Sequence, residues 1–480
     1  MSQTEVKTVV DTGLETRSSS SIPIRARSPH PPESSTFPSN DKTQIELAEM
    51  GRQASRGSKS IADVVTGTPS TLTVTTSEQV EKAKQRKAFW QFVTLCWSLF
   101  LAGWNDGTTG PLLPRIQEVY HVGFAIVSLI FVFNCVGFVS AAFANVFLTD
   151  KFGFGVVMVI GSVAQIIAYA IDAPAPPFPV LCFAYAINGF GIALQDAGAN
   201  GYVASYKHDA TNKMGILQAV YGAGALVAPL ISAQFAQIPQ WSFHFLCSLG
   251  IALSNTIMLI AVFRFKTQDE AFAEIGQEPL GSSSDHQGSK YKQIFRLREL
   301  HLLAFFILIY VGVEVTLGGW TVTYIIDERG GGPSAGYIAS GFWGGLTVGR
   351  LALLWVNKKV GERLIVFIYI VLAIALELVV WLVPSLIGDA IAVSFVGVLL
   401  GPIYPIVMNH SARILPQWLL TGCIGWIAGF GQAGSAFLPF LTGAIASSKG
   451  IWSLQPLIVA MMGLNIVLWF LVPNHPRKIE

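Results

Sequence analysis

The sequence predicts an all-α membrane protein of twelve transmembrane helices in two six-helix pseudo-repeats. Three observations carry that prediction. Hydrophobic residues make up 52% of the 480 and charged residues only 12%, about half the charged share of an ordinary soluble domain, so a water-soluble fold could not cover the apolar surface. From Phe89 onward, apolar runs of about 20 residues recur, the length that crosses ~30 Å of hydrocarbon. Three carboxylates lie inside such runs: Asp106 in LAGWNDGTTG, Asp196 in GIALQDAGAN and Glu314 in YVGVEVTLGG. An ionisable group in lipid costs roughly 2.5–3.5 kcal/mol on insertion scales, so it faces a bundle interior or a water-filled cavity.

Residues 1–85 are rich in Ser, Thr and Pro and bury too little to fold alone, which predicts a disordered cytoplasmic tail. Ser28-Pro29 and Thr68-Pro69 are phosphorylation candidates in it, and its start has no apolar core of a signal peptide. Spans over 88–110, 124–148, 154–171, 180–204, 214–236 and 242–263 make an N-terminal bundle, 86–264. A polar cytoplasmic loop, 265–300, contains GSSSDHQGSK. Spans over 301–325, 334–356, 364–383, 387–409, 418–446 and 454–472 make a C-terminal bundle, 301–473, followed by a tail, 474–480. Basic residues such as Lys84, Arg86, Lys151, Lys207, Lys266, Lys292, Arg296, Lys358, Lys359, Arg413 and Arg477 fall in one set of loops, and only Arg115, Arg329 and Lys449 in the other. Cytoplasmic loops carry the excess of Lys and Arg, so both termini are expected in the cytoplasm, with the plasma membrane as the default residence and an organelle membrane as the alternative.

A shift of 208 lays Asp106 on Glu314 and DKFG (150–153) on KKVG (358–361), and a shift of 210 lays Gly224 and Pro229 on Gly434 and Pro439. The nearly constant offset argues for duplicated halves, a transporter plan in which substrate binds near the midplane between them. In that plan the first, fourth, seventh and tenth helices line the cavity, and Asp106, Asp196 and Glu314 occupy three of the four. A carboxyl group in a low-dielectric cavity can exchange its proton near physiological pH, so these acids are the proton-coupling candidates. Amides and aromatic rings complete a site for a polar solute, since each buried hydroxyl needs partners and each ring offers an apolar face. The candidates are Asn134, Asn188, Asn200, Gln218, Tyr221, Trp320, Trp343, Tyr404, Trp426 and Gln432. Glu314 and Arg350 are expected at different depths, which leaves Arg350 as a gating residue. Glu377 is read as a structural hydrogen bond or a lipid-edge defect, His410 and Arg413 as lining the inner mouth, and Pro402 and Pro405 as a hinge in the tenth span.

The loop after the second span resembles the gating motif of the major facilitator superfamily, keeping Asp150, Lys151 and Gly153, and its counterpart in the second half keeps Gly361 and Arg363. The resemblance covers about residues 88–472 and implies the major facilitator fold. Within that superfamily the sequence is similar to the fucose and glucose proton-symporter group and its fungal relatives. Asn105-Asp106 resembles the group's Asn-Asp pair, Asp196-Ala197-Gly198-Ala199-Asn200 its Glu-x-x-Ala-Asn, and Leu217-Gln218 its Ala-Gln. Glu314 with Gly318-Gly319-Trp320 resembles a pattern of the fungal branch. The resemblance implies that the acids couple proton to sugar and that amides, Asn105 included, contact hydroxyls. On the fifth span, Gly215, Gly224, Ala228, Pro229, Ser232 and Ala233 keep the spacing of an antiporter motif, although small residues also serve helix packing.

Other chemistry is excluded. The net charge of +2 and scattered basic residues give no nucleic-acid footprint. The cysteines Cys96, Cys135, Cys182, Cys247 and Cys423 are widely spaced in apolar runs and read as free thiols packed in helices, with no metal site. Gly330-Gly331-Gly332-Pro333 lacks the Lys-Ser or Lys-Thr of a phosphate cradle. The expectation is therefore a monomeric secondary transporter with no enzyme chemistry and no cofactor, whose partners are protons, a small organic solute and the bilayer. Proton symport of a sugar-like compound is the first reading. Proton-antiport efflux of a metabolite or toxic compound is the alternative, and a non-transporting solute sensor is the alternative of another class.

Overall fold

The computed structural model describes residues 70–207, 209–277, 297–415 and 420–474. The chain divides into Met1–Thr75 and a compact unit, Thr76–Glu480, which holds the bundle. Among the described residues the elements are helical. The first part of the chain gives α1 (Ser70–Tyr120), α2 (Phe124–Val127), α3 (Leu129–Phe152), α4 (Phe154–Asp172), α5 (Phe178–Ala204), α6 (Ala210–Ala236), α7 (His244–Phe263) and the short α8 (Gln268–Glu274). The second gives α9 (Arg298–Arg329), α10 (Gly336–Ala352), α11 (Leu354–Val360), α12 (Glu362–Leu382), α13 (Leu386–Leu400), α14 (Ile403–Ile414), α15 (Leu420–Lys449) and α16 (Leu454–Leu471).

Ten segments among the described residues are long and apolar enough to cross a membrane. The expected spans at 88–110 and 334–356 are not among them. The first lies in α1, which starts at Ser70, inside the expected tail, and runs through Pro111 and Pro114 without a break. Each proline removes one backbone donor, and inside a packed bundle neighbours can compensate. The second divides at Leu353 into α10 and α11. The span at 387–409 is interrupted at Gly401-Pro402, as its prolines predict, and the Leu400 carbonyl at the break accepts from the Tyr310 hydroxyl at 2.9 Å. The rest of the N-terminal tail with both phosphorylation candidates, residues 278–296 of the central loop and the last six residues lie outside the described residues.

Gly153 and Gly361 have φ of +81° and +95°. Each ends one helix and begins the next, in a left-handed conformation that L side chains rarely adopt. This gives the glycine at each of these two positions a backbone reason. Lys151 lies over the rings of Phe147 and Phe152, and Arg363 donates to the carbonyls of Val472 at 2.6 Å and Phe470 at 3.3 Å.

The helices pack as two groups. In the first, α5 lies against α3 and α4, and α4 against α7. In the second, α9 lies against α15 and α16, α10 against α13, and α12 against α13 and α16. Glycines bring α1 and α6 into backbone contact. A Cβ on Gly224 would lie 2.9 Å from the Trp104 amide nitrogen, and one on Gly103 would lie 2.8 Å from the Tyr221 carbonyl carbon.

The groups meet where α6 packs on α10 and α3 on α15. At the end that carries Arg115 and Arg329, Gly110 abuts the Gly318 backbone, Gln234 bonds to Tyr337, and the Ala125 amide donates to Ser447 at 2.8 Å. These contacts close that end.

At the opposite end α8 is strapped onto α1 and α5. Thr267 and Glu270 form a capping box that starts it. Phe272 is fully buried with its ring 4.5 Å from that of Tyr202, and Gln91 donates to the Ala271 carbonyl at 3.2 Å. Glu274 pairs with Lys266 and, at 3.4 Å, with Lys87. Partial burial pushes the Glu274 carboxyl up, but the hydrogen bond and charge of Lys266, joined by Lys87, outweigh it and hold the group below its usual range. A depressed carboxylate contributes stability above its unfolded pKa that is lost as pH falls through the folded value. Glu274→Gln should therefore speed amide exchange over 268–275 by about twofold to fivefold at neutral pH, the scale of an exposed ion pair. The difference from the unaltered chain should fade in acid, and equal rates at neutral pH would refute the strap.

Candidate functional site

Between the two groups lies a cavity of about 150 Å³. All three acids singled out in the apolar runs reach it, Asp106 from α1, Asp196 from α5 and Glu314 from α9. Helical spacing presents the partners. Asp196 and Asn200 are four apart, Gln218 and Tyr221 three apart, and each pair shares a helix face.

Each acid holds a defined set of donors. The Tyr221 hydroxyl donates to Asp106 Oδ2 at 2.5 Å and Asn105 Nδ2 to Oδ1 at 3.4 Å. Behind them Asn188 Nδ2 donates to Asn105 Oδ1 at 2.5 Å. Asn200 Nδ2 donates to Asp196 Oδ1 at 2.9 Å, and its own Oδ1 accepts from Gln218 Nε2 at 3.0 Å. Glu314, 6% exposed, accepts from Arg350 Nη2 at 3.4 Å.

That last contact corrects the sequence reading, which kept Glu314 and Arg350 at different depths. Arg350 lines the cavity beside the acid. A straight-helix count places Cα atoms but ignores the reach of an arginine, whose stem runs along apolar surface to deliver its head elsewhere.

Of the other expected ligands, Asn105, Asn134, Asn200, Gln218, Tyr221, Trp343, Tyr404 and Gln432 line the cavity. Asn188, Trp320 and Trp426 do not. Asn188 stands behind Asn105, Trp320 is fully buried with Nε1 donating to the Pro439 carbonyl at 3.0 Å, and Trp426 packs on Phe430 and His301. Sequence reasoning missed Thr109, Tyr185 and Ser435, which also line it. Tyr185 is three residues before Asn188 on α5, a spacing that could have flagged it.

Several buried polar atoms in the lining have no protein partner: Trp343 Nε1, Arg350 Nε and Nη1, and Asn134 Oδ1. Unmade hydrogen bonds at buried sites cost about 1–3 kcal/mol each, so a solute carrying both acceptors and donors would be held there. Among the described residues no group of His, Cys, Asp or Glu could hold a metal.

Glu377 fits neither of its expected roles. It is wholly buried, not at a lipid edge, and neither carboxylate oxygen has a hydrogen-bond partner. Arg413 pairs with Glu362, and His410 is buried with Nε2 3.0 Å from the Pro473 carbonyl, away from the cavity lining. The five cysteines are free thiols, Cys247 being exposed.

A family model described as Major Facilitator Superfamily matches residues 95–419. A Saccharomyces cerevisiae protein named "Bypass of stop codon protein 6" is 28% identical over 435 residues, covering 84% of this chain and 88% of its own. The "Glucose/mannose transporter GlcP" of Bacillus subtilis is 21% identical over 391 residues, covering 79% of this chain and 92% of its own. A crystal structure of a D-xylose-proton symporter superposes with a TM-score of 0.67 at 12% identity, covering 81% of this chain and 98% of that one, a likeness of fold.

Proposed function

The chain belongs to the major facilitator superfamily and is a multi-pass membrane transporter of solutes; from that premise we propose that it carries a sugar-like solute by proton symport. The observation that supports this reading is the convergence of three acids and a set of unpartnered donors and acceptors on one cavity between two helix groups. In this reading the groups are two six-helix halves of a twelve-span monomer, with boundaries near 86–264 and 301–473, and α1 and α10 supply the two spans that hydropathy leaves out. Both termini face the cytoplasm, so the closed end is the extracellular one and the cavity awaits release or loading from inside. A plasma-membrane residence follows from uptake.

Asp106, Asp196 and Glu314 take the proton, and the lining amides with Tyr221, Trp343 and Tyr404 hold the solute. Linkage is reciprocal: if protonation raises solute affinity, solute raises proton affinity by the same factor. Sugar is favoured by neutral polar groups that both donate and accept, and by the similarity to the Bacillus subtilis glucose/mannose transporter. The efflux reading rested on the fifth-span motif, and its Gly224 is occupied in backbone packing against α1.

The test is uptake of radiolabelled D-glucose into vesicles containing the purified chain. Accumulation inside, rising as the outside is acidified, supports symport. Glucose exchange indifferent to pH would remove proton coupling, and no glucose flux would remove the sugar.

A further inference from the structure

Arg350 occupies an unusual position among the cavity residues. Its Nη2 reaches Glu314 on α9 at 3.4 Å, within its own helix group, and its guanidinium lies 5.8 Å from the centre of the Tyr221 ring on α6, in the other group. The Tyr221 hydroxyl in turn donates to Asp106 on α1 at 2.5 Å. One line of contacts thus runs from an acid of one group to an acid of the other: Glu314, Arg350, Tyr221, Asp106.

We propose that Tyr221 and Arg350 are positioning residues that make the two acids a single coupling unit, with Arg350 the cation for which both compete. This rests on the proton-linked reading above. When Glu314 takes a proton, its O–H bond forms and the ionic contact with Arg350 Nη2 is lost. Leaving a buried guanidinium without its counter-charge is strongly unfavourable, so Arg350 moves toward the Tyr221 ring and the Asp106 charge behind it. Proton occupancy on α9 is then felt on α1 through a contact that crosses between the groups.

Other groups near Arg350 do not supply a competing path. Tyr310 also lies against Glu314, one turn away on the same helix α9, but its hydroxyl is donated to the Leu400 carbonyl at 2.9 Å and reaches no described residue of the other group. Tyr404 on α14 lies within electrostatic reach of Arg350, Glu314 and Asp196 but carries no charge of its own as a phenol. Asp196 is engaged by Asn200 at 2.9 Å. Lys358 and Lys359 on α11 are exposed and lie outside the cavity lining. The face of Tyr221 and the Glu314 carboxylate are the two seats the geometry offers.

The experiment uses the full chain in liposomes with radiolabelled D-glucose, and reads exchange at equal pH and accumulation under an imposed inward proton gradient. Tyr221→Phe removes one oxygen and keeps the ring, Arg350→Gln removes the cation, and Arg350→Lys keeps a charge. The ratio of accumulation to exchange should fall about tenfold in Tyr221→Phe and in Arg350→Gln, with partial recovery in Arg350→Lys. The Tyr221→Phe/Arg350→Gln double variant should be no worse than Arg350→Gln alone, because residues acting as one unit are non-additive. A wild-type ratio in Tyr221→Phe, or independent losses that multiply in the double variant, overturns the proposal. If Arg350→Gln does not fold, the Tyr221→Phe ratio and the Arg350→Lys ratio decide it alone. Failure of the underlying reading shows separately, as an unaltered chain that does not concentrate glucose under the gradient.

Discussion

Asp106→Asn should abolish solute concentration by a proton gradient while downhill flux persists. With one proton per solute, a gradient of one pH unit is worth ~1.4 kcal/mol and concentrates the solute about tenfold. The asparagine keeps the volume of the acid and an oxygen to accept from Tyr221, which now donates at 2.5 Å, so the site should survive without its exchangeable proton. The measurement is the inside-to-outside ratio of radiolabelled glucose in vesicles, expected near ten for the unaltered chain and near one for Asp106→Asn. Asp196→Asn and Glu314→Gln are the companion variants. Full accumulation in all three would reject the acids as the coupling sites.

The second large effect lies in packing. Gly224→Val should cost about 3 kcal/mol, at the upper end for overpacking, and deplete folded protein. The added atoms have nowhere to go: a Cβ already falls 2.9 Å from the Trp104 amide nitrogen and 3.0 Å from the Phe100 carbonyl carbon, both backbone. Gly215 belongs to the same motif, yet nothing lies within 4 Å of a Cβ there. Gly215→Ala should leave folded yield unchanged. Size-exclusion profiles and thermal midpoints of the detergent-purified variants check both. Equal yields for Gly224→Val and the unaltered chain would end the packing account and return the motif to mechanism.

How far the sequence carried can be followed residue by residue. Apolar length located helices well, because it is a property of a single segment. Pro402 and Pro405 announced the interruption between α13 and α14, since a missing amide is local. Pro111 and Pro114 carry the same local mark, yet α1 runs through both, because a packed bundle can satisfy the freed carbonyls. The acids were legible as cavity residues because their alternative was lipid. Trp320 was not, because a buried indole needs one acceptor and the Pro439 carbonyl supplies it across a helix interface. The pairing of Glu314 with Arg350 failed for a related reason: 36 residues separate them, and contact depends on side-chain reach that periodicity does not encode. Glu377, buried without a partner, shows no sequence mark that separates it from a hydrogen-bonded acid.

The two helices that bear so much of the cavity's polar equipment, α1 with Asn105 and Asp106 and α10 with Trp343 and Arg350, are absent from the ten segments apolar enough to cross a membrane by themselves. A nascent chain meets the translocon one segment at a time, and α1 emerges before α6. Its glycine face finds backbone partners on α6 only after more than 100 further residues have been made. If α1 is a span, as the twelve-span proposal has it, its stable residence in the membrane waits for synthesis of α6. In a chain truncated after α5, Cys96 on α1 should react with a membrane-impermeant maleimide, and in one extended through α6 it should be protected.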